Sequence, residues 1–308
     1  MNSREEGFLL LTSHLGNPRR HPLTVPQLRE LARCVMRSPS PQEENRELQK
    51  EDRVAFGCAE ETAGRVIALL NERPLLYDYI EQGRARGCVP LSRVSPSYPV
   101  RLRQCLGIDA PGCLWARGDL SLLNRPAVAL VGSRDLWAPN AEFAQQVGYL
   151  AAQYGLVLIS GNARGADQTA QESCLQAGGS VIVVAADSIS RPRLRDHVLF
   201  ISEDGFNEAF SAQRALSRNR LIHSMAQVTF VAQCSNGVGG TWDGTCRNLR
   251  GRWSPVCCFP DGSAAVARLY QMGAHLVKAV ELHHIFDELT AGFDKYHNDE
   301  AKNDKMIK

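Results

Sequence analysis

Short apolar runs alternate with amphipathic stretches through the last two thirds of the chain. Ala127-Val128-Ala129-Leu130-Val131 and Leu156-Val157-Leu158-Ile159-Ser160 are aliphatic and bounded by glycine or proline. Strands buried on both faces of a parallel sheet read this way. Runs of the same kind recur at Ser180–Ala186, Val198–Ser202, Gln227–Ala232 and Pro255–Phe259. Between them the apolar positions take helical spacing. About 140–153 carries Phe143, Val147, Leu150 and Ala151 on one face; Ala166–Ala177, Ser211–Met225, Trp242–Leu249 and Ser263–Met272 follow. Six or so strands alternating with helices predict an α/β fold on a doubly wound, mostly parallel sheet. A further short strand is predicted within Pro111–Asp119.

Residues 1 to about 90 are patterned differently. Thr24 with Gln27 three residues on, and Leu28 and Leu31 on one face, predicts a helix start. Ser38-Pro39-Ser40-Pro41 ends that helix, and a charged stretch from Gln42 to Arg53 follows. Glu60–Leu70 and Leu75–Arg86 read as two more helices. Acids and bases balance here at thirteen each, so this small helical region suits either protein contacts or weak nucleic-acid contacts. Three prolines between Pro90 and Pro99 predict an extended link. The expected division is a helical domain over 1–92, an α/β domain over 93–289 and a polar, disordered tail over 290–308.

Composition narrows the class. At 308 residues, 44% hydrophobic and 22% charged, the chain reads as an ordinary globular protein. No apolar run reaches the roughly 18 residues of a membrane span, and the acidic Met1–Glu6 stretch is not that of a signal peptide. A cytoplasmic location is expected. Ten scattered cysteines, without Cys-x-x-Cys or paired histidine spacing, predict reduced packing thiols and no metal site. The net charge of +2 is small, but its make-up is not typical: of 35 cationic residues only six are lysine, none between Lys50 and Lys278. From Arg191 to Arg252 nine arginines face five acids. Arginine forks suit phosphate and stack on bases; codon bias in a GC-rich genome would give the same excess.

Two strands run directly into glycine–arginine turns, Gly132-Ser133-Arg134 and Ser160-Gly161-Asn162-Ala163-Arg164-Gly165, the second with Asp167 in the helix it opens. Backbone N–H groups at such strand-to-helix turns can face an anion, aided by the helix dipole. Two in series suggest one phosphate-binding ledge at the carboxyl edge of a sheet; the plainer alternative is that the glycines only serve sharp turns. Arg218-Asn219-Arg220, preceded by Arg214, forms a third cluster on a helix. Gly239-Gly240-Thr241 is another glycine turn, followed by Trp242 as either core or base platform. The G-x-G-x-x-G and P-loop fingerprints are absent, which disfavours NAD and ATP. G-x-S-x-G and His-Glu-x-x-His are absent too, and Ser133 has no assigned base. Asp187, at a strand end, would either touch a ribose hydroxyl or, as the preferred reading, cap a helix.

Ser97-Tyr98-Pro99-x-x-Leu102, Leu114-x-x-Arg117-Gly118, Val128–Arg134, Ser160-Gly161-x-Ala163-Arg164-Gly165-x-Asp167, Arg218-Asn219-Arg220 and Gly240-Thr241-Trp242 occur in this order. Together, over about residues 95–260, they resemble the DNA-processing protein A (DprA/Smf) family. The resemblance implies an extended Rossmann-like domain without enzymatic activity or cofactor. It also implies single-stranded DNA binding, protection of incoming DNA during transformation, help in loading the RecA recombinase, and a homodimer. It points to Arg134, Arg164, Arg218 and Arg220 on the DNA phosphates. Gly132, Gly161, Gly165 and Gly240 would be the turns that let the backbone come close. Departures from the family pattern are Gln171 in place of a histidine, Ala186-Asp187-Ser188-Ile189 in place of a glycine-rich Tyr-Pro segment, and arginines in place of lysines. After Leu289 no room is expected for the winged helix that some members carry. The alternative function is a nucleotide-binding sensor or a nucleotide N-glycosidase of phosphoribohydrolase type, resting on Gly239-Gly240-Thr241. Val238 and Trp242 break that motif, and its working glutamate is missing.

Overall fold

The apolar runs lie side by side in one nine-stranded sheet in the computed structural model, which describes residues 1–37, 57–203 and 205–291. The strands are β1 (Val89–Ser92), β2 (Cys113–Gly118), β3 (Ala127–Val131), β4 (Val157–Ser160), β5 (Ser180–Val184), β6 (Val198–Ser202), β7 (Thr229–Val231), β8 (Val256–Cys258) and β9 (His275–Leu276). Their order is β1-β2-β6-β5-β4-β3-β7-β8-β9. From β6 to β9 every pairing is parallel. β2 runs antiparallel to β6, and β1 antiparallel to β2. The fold is the doubly wound, mostly parallel α/β arrangement that the alternation predicts, of the Rossmann-like kind that the resemblance implies. The proline-containing link departs from expectation: its first part is β1, an edge strand in which Pro90 lies opposite Trp115. An edge tolerates the missing N–H that a central strand would need.

Continuous apolar runs are required because each strand feeds two cores. Val128, Leu130, Leu158, Val181, Val183, Val198 and Phe200 face one layer. Ala127, Ala129, Val131, Val157, Ile159, Ile182, Val184, Leu199 and Ile201 face the other. The helices are α1 (Ser3–Thr12), α2 (Val25–Arg37), α3 (Glu60–Leu70), α4 (Arg73–Arg84), α5 (Val100–Leu106), α6 (Ala138–Gln153), α7 (Ala166–Gln176), α8 (Ala212–Met225), α9 (Gly240–Gly251) and α10 (Ala264–Gln271). α6 and α7 cover the first face through Phe143, Val147, Ala170 and Cys174. α8, α9 and α10 cover the second through Leu221, Ile222, Cys246 and Leu269. Residues 282–291 are helical and stack Phe286 on Phe230, ring centroids 5.6 Å apart.

No helix joins β5 to β6; residues 185–197 cross irregularly. α4 covers the sheet beside that crossover. Its Tyr79 packs with Trp115 of β2 and Phe206, ring centroids 4.6–4.9 Å apart. Leu9 and Leu10 of α1 join the same core, while α2 and α3 pack on a smaller cluster of Leu31, Cys34, Ala63, Val66 and Leu69. α2 starts at the expected box, Thr24 N donating to Gln27 Oε1 at 3.0 Å. Cys88, Cys113, Cys174, Cys234, Cys246, Cys257 and Cys258 are buried packing groups. The Ser38–Pro41 break, the charged stretch from Gln42 to Arg53 and the tail beyond residue 291 lie outside the described residues.

A buried polar network holds α8 against β7 and α9. His223 Nδ1 lies 3.2 Å from Thr229 Oγ1 and 3.3 Å from Asn248 Nδ2. Ser254 N donates to Asn248 Oδ1 at 2.9 Å, and the Ser254 and Thr229 hydroxyls are 2.8 Å apart. Burial, with the nearby Arg218 charge, pushes the His223 pKa down to about 3. Its ring is therefore neutral in the fold and takes up a proton only on unfolding above that value. Because the folded pKa is depressed, the network's stability is fully present above the unfolded value of about 6.5 and is lost as pH falls toward 3. Between pH 6.5 and 5 the wild-type chain should lose up to about 1.4 kcal/mol per pH unit more than His223→Gln. Urea unfolding across that range checks this; equal slopes would contradict it.

Candidate functional site

β3 is the strand at which the strand order reverses, with β4 on one side and β7 on the other. Beyond its carboxyl end the chain turns to α6 on one face, while the chain leaving β7 enters α9 on the other. A doubly wound sheet opens its binding crevice at this switch point. The turns that border it are tied to one another. Ser133 N and Oγ both donate to the Gln233 carbonyl, at 2.9 and 3.3 Å. Thr241 Oγ1 donates to the Gly132 carbonyl at 2.9 Å, and Ala166 N to the Ser133 carbonyl at 3.2 Å. The Gln233 side chain completes the frame: its amide donates to the Asp135 carbonyl at 3.1 Å and its oxygen accepts from Trp137 N at 3.0 Å. Gln233 carries no local sequence signal, and only the fold reveals its place.

The second turn is shaped by Asp167, whose carboxylate accepts from Gly161 N and Ala163 N, both at 3.1 Å. Burial pushes the Asp167 pKa up, opposed by Arg218 and those two N–H groups. Asn162 and Gly165 take left-handed backbone, φ 59° and 85°. Ser160 is buried beneath the turn, its hydroxyl accepting from the Gln171 amide. Gln171 thus serves the interior.

The arginines differ in their situations. Arg134 is exposed and pairs with no carboxylate among the described residues. Arg164 is exposed and bound to Asp135 at 2.7 Å, a surface pair that a phosphate can displace. Arg218 is only 8% exposed; its Nη2 donates to the Gly161 carbonyl at 3.0 Å. Its Nε has no hydrogen-bond partner among the described residues, and burial draws its pKa downward against the pull of Asp167 and Asp187. Arg220 stands apart: it pairs with Glu203 and donates to the Asp109 carbonyl at 2.9 Å. The structure brings Arg218 to the turns and leaves Arg220 outside them. Asn219 acts from behind, its amide donating to the Gly240 carbonyl at 2.9 Å. Arg214 is held by Glu208 at 2.8 Å.

Two other expectations are decided by placement. No helix begins at Asp187, which is exposed after β5, so it caps none. Trp242 packs against the core with the Arg268 guanidinium 5.0 Å from its ring centroid. Trp242 and Asp243 stand where a phosphoribohydrolase would place residues leading to its glutamate, and Asp243 is paired with Arg247 at 3.0 Å. Among the described residues no helix is long and apolar enough to cross a membrane.

A family model described as DNA recombination-mediator protein A matches residues 90–289. The chain belongs to this family. The DNA processing protein DprA of Streptococcus pneumoniae is 32% identical over 184 residues, 55% of this chain and 64% of that protein, so the match spans less than two thirds of the relative's length. A solved structure of that pneumococcal protein shares the fold, with TM-score 0.63 and 24% identity over 85% of this chain and 98% of that one. DNA processing protein A of Helicobacter pylori, for which a single-stranded DNA binding mode has been described, also shares the fold. Its TM-score is 0.56, with 20% identity over 67% of this chain and 96% of that one.

The tightest steric requirement of the site is at Gly161, where a Cβ would fall 1.6 Å from Arg218 Nη1. Gly161→Ala should expel the guanidinium from its slot and destabilise the fold by about 1–3 kcal/mol. At Gly240 the nearest atom to an added Cβ is 3.4 Å away, so Gly240→Ala should stay close to wild type. Thermal unfolding of the two variants checks this; equal midpoints would contradict it.

Proposed function

We propose that this chain binds single-stranded DNA without chemical turnover, seating the strand's phosphates in the crevice between β3, β4 and β7. The carrying observation is the graded set of cations there: Arg134 open, Arg164 loosely paired, and Arg218 buried with an unsatisfied N–H. The Gly165 and Gly239 turns add the N-termini of α7 and α9, both favourable to an anion. Contacts of this kind position a phosphate backbone and carry no sequence information. Family membership supports the DNA role, and the described binding mode of the Helicobacter pylori protein supports the single strand as its form.

Absence of catalysis is supported by how the nearby functional groups are used. The Ser133 hydroxyl donates to the Gln233 carbonyl, Asp167 holds two backbone N–H groups, Asp135 meets Arg164, and His223 is buried in its own network. A part in the handling of incoming DNA, transfer of the strand to RecA, homodimerisation and a cytoplasmic setting complete the reading; family membership is their support.

Fluorescence anisotropy with labelled oligo-dT at two salt concentrations tests the proposal. Wild type should bind in a salt-sensitive way. Arg134→Ala should bind more weakly, with the slope of log affinity against log salt reduced by about 0.7, the value for one contact on a single strand. An unchanged slope, or displacement of the strand by nucleoside monophosphate at matched concentration, would contradict the reading and favour a small-nucleotide site.

A further inference from the structure

We infer that Trp137 is a stacking platform for a nucleobase at the mouth of the crevice. The inference rests on the single-strand reading above and adds a base-contacting residue to a site otherwise made of phosphate contacts. Trp137 is 57% exposed, whereas Trp115 is 1% exposed and Trp242 is covered by Arg268. A bare indole on the surface keeps a large apolar face in water, and that face is the kind of surface on which a base stacks.

Its location is fixed by the site itself. Trp137 lies three residues after Arg134, so no more than about 10 Å of chain separates them. Its backbone N–H donates to the same Gln233 side chain that frames the β3 and β7 turns. It forms the N-cap of α6, with a proline in the first helical turn, which fixes the backbone that carries the ring. Other exposed apolar groups border the crevice: Val238 at 64% in the loop after β7, and Leu216 at 38% on α8 beside Gly240. Arg218 is buried while these apolar side chains are exposed. A strand that meets the arginines can lay a base on this exposed apolar surface, which suits a single strand whose bases are free to stack. Because every base presents a π-face, the platform adds affinity without choosing a sequence.

The test compares wild type, Trp137→Leu and Trp137→Phe on labelled oligo-dT and on an abasic oligonucleotide of equal length, by anisotropy at two salt concentrations. Trp137→Leu should weaken oligo-dT binding by about tenfold, leave its salt slope unchanged and leave abasic binding unchanged. Trp137→Phe should retain most of the affinity. Wild-type affinity for oligo-dT in Trp137→Leu, or equal weakening on both strands, would overturn the platform while leaving the phosphate ledge standing. Failure of wild type to bind either strand would overturn the single-strand reading and the platform with it.

Discussion

An arginine inside a folded chain must be compensated, and the compensation of Arg218 sets the geometry of this molecule's carboxyl edge. Leu221, Ile222 and Met225 commit one side of α8 to the sheet, which brings Arg218 under the turn that follows β4. Only a residue without a Cβ leaves room there, so Gly161 lies directly on the guanidinium. Asp167 then fixes the turn by holding the N–H groups of Gly161 and Ala163, and its charge offsets part of the arginine's desolvation. The offset is incomplete, since Nε stays without a partner. A buried cation short of partners is a standing cost that an incoming anion lowers. The close fit at Gly161 and the unmet hydrogen-bonding capacity of the buried guanidinium therefore have one physical source.

The sheet places the other groups around that cation. Pairing of β3 with both β4 and β7 puts three strand-to-helix turns at one edge, and Gln233, Thr241 and Ser133 bind them into a frame. The His223 network keeps α8 at a fixed distance from α9, so Asn219 can hold the Gly240 carbonyl. At the far end of the sheet the crossover from β5 to β6 has no helix. Tyr79 of α4 covers that gap against Trp115 and Phe206, so part of the helical N-terminal region belongs to the same core as the sheet.

What the sequence showed, and what it hid, follows from range. Buried parallel strands and the glycine–arginine turns were legible because their signals are local: an apolar run, then a residue free of a Cβ. β1 was hidden by Pro90, which is acceptable only because β1 lies at an edge, and β9 has two exposed residues and no apolar signal. Helical spacing set Arg220, about 200° from Arg218, off the face that Arg218 shares with Arg214, but only the seating of α8 decides which face turns inward. The tryptophans show the same limit: Trp242 turned inward beneath Arg268, while Trp137 stayed at the surface. Gln233 acts through contacts about a hundred positions away, where no local pattern reaches.

Backbone amide hydrogen exchange, with and without saturating oligo-dT, tests the central claim most directly. Phosphates seated in the crevice should slow exchange at 132–137, 161–165 and 237–241, while α2 and α3, away from the switch point, keep their rates. Slowing confined to α2 and α3, with those three turns unchanged, would contradict the account.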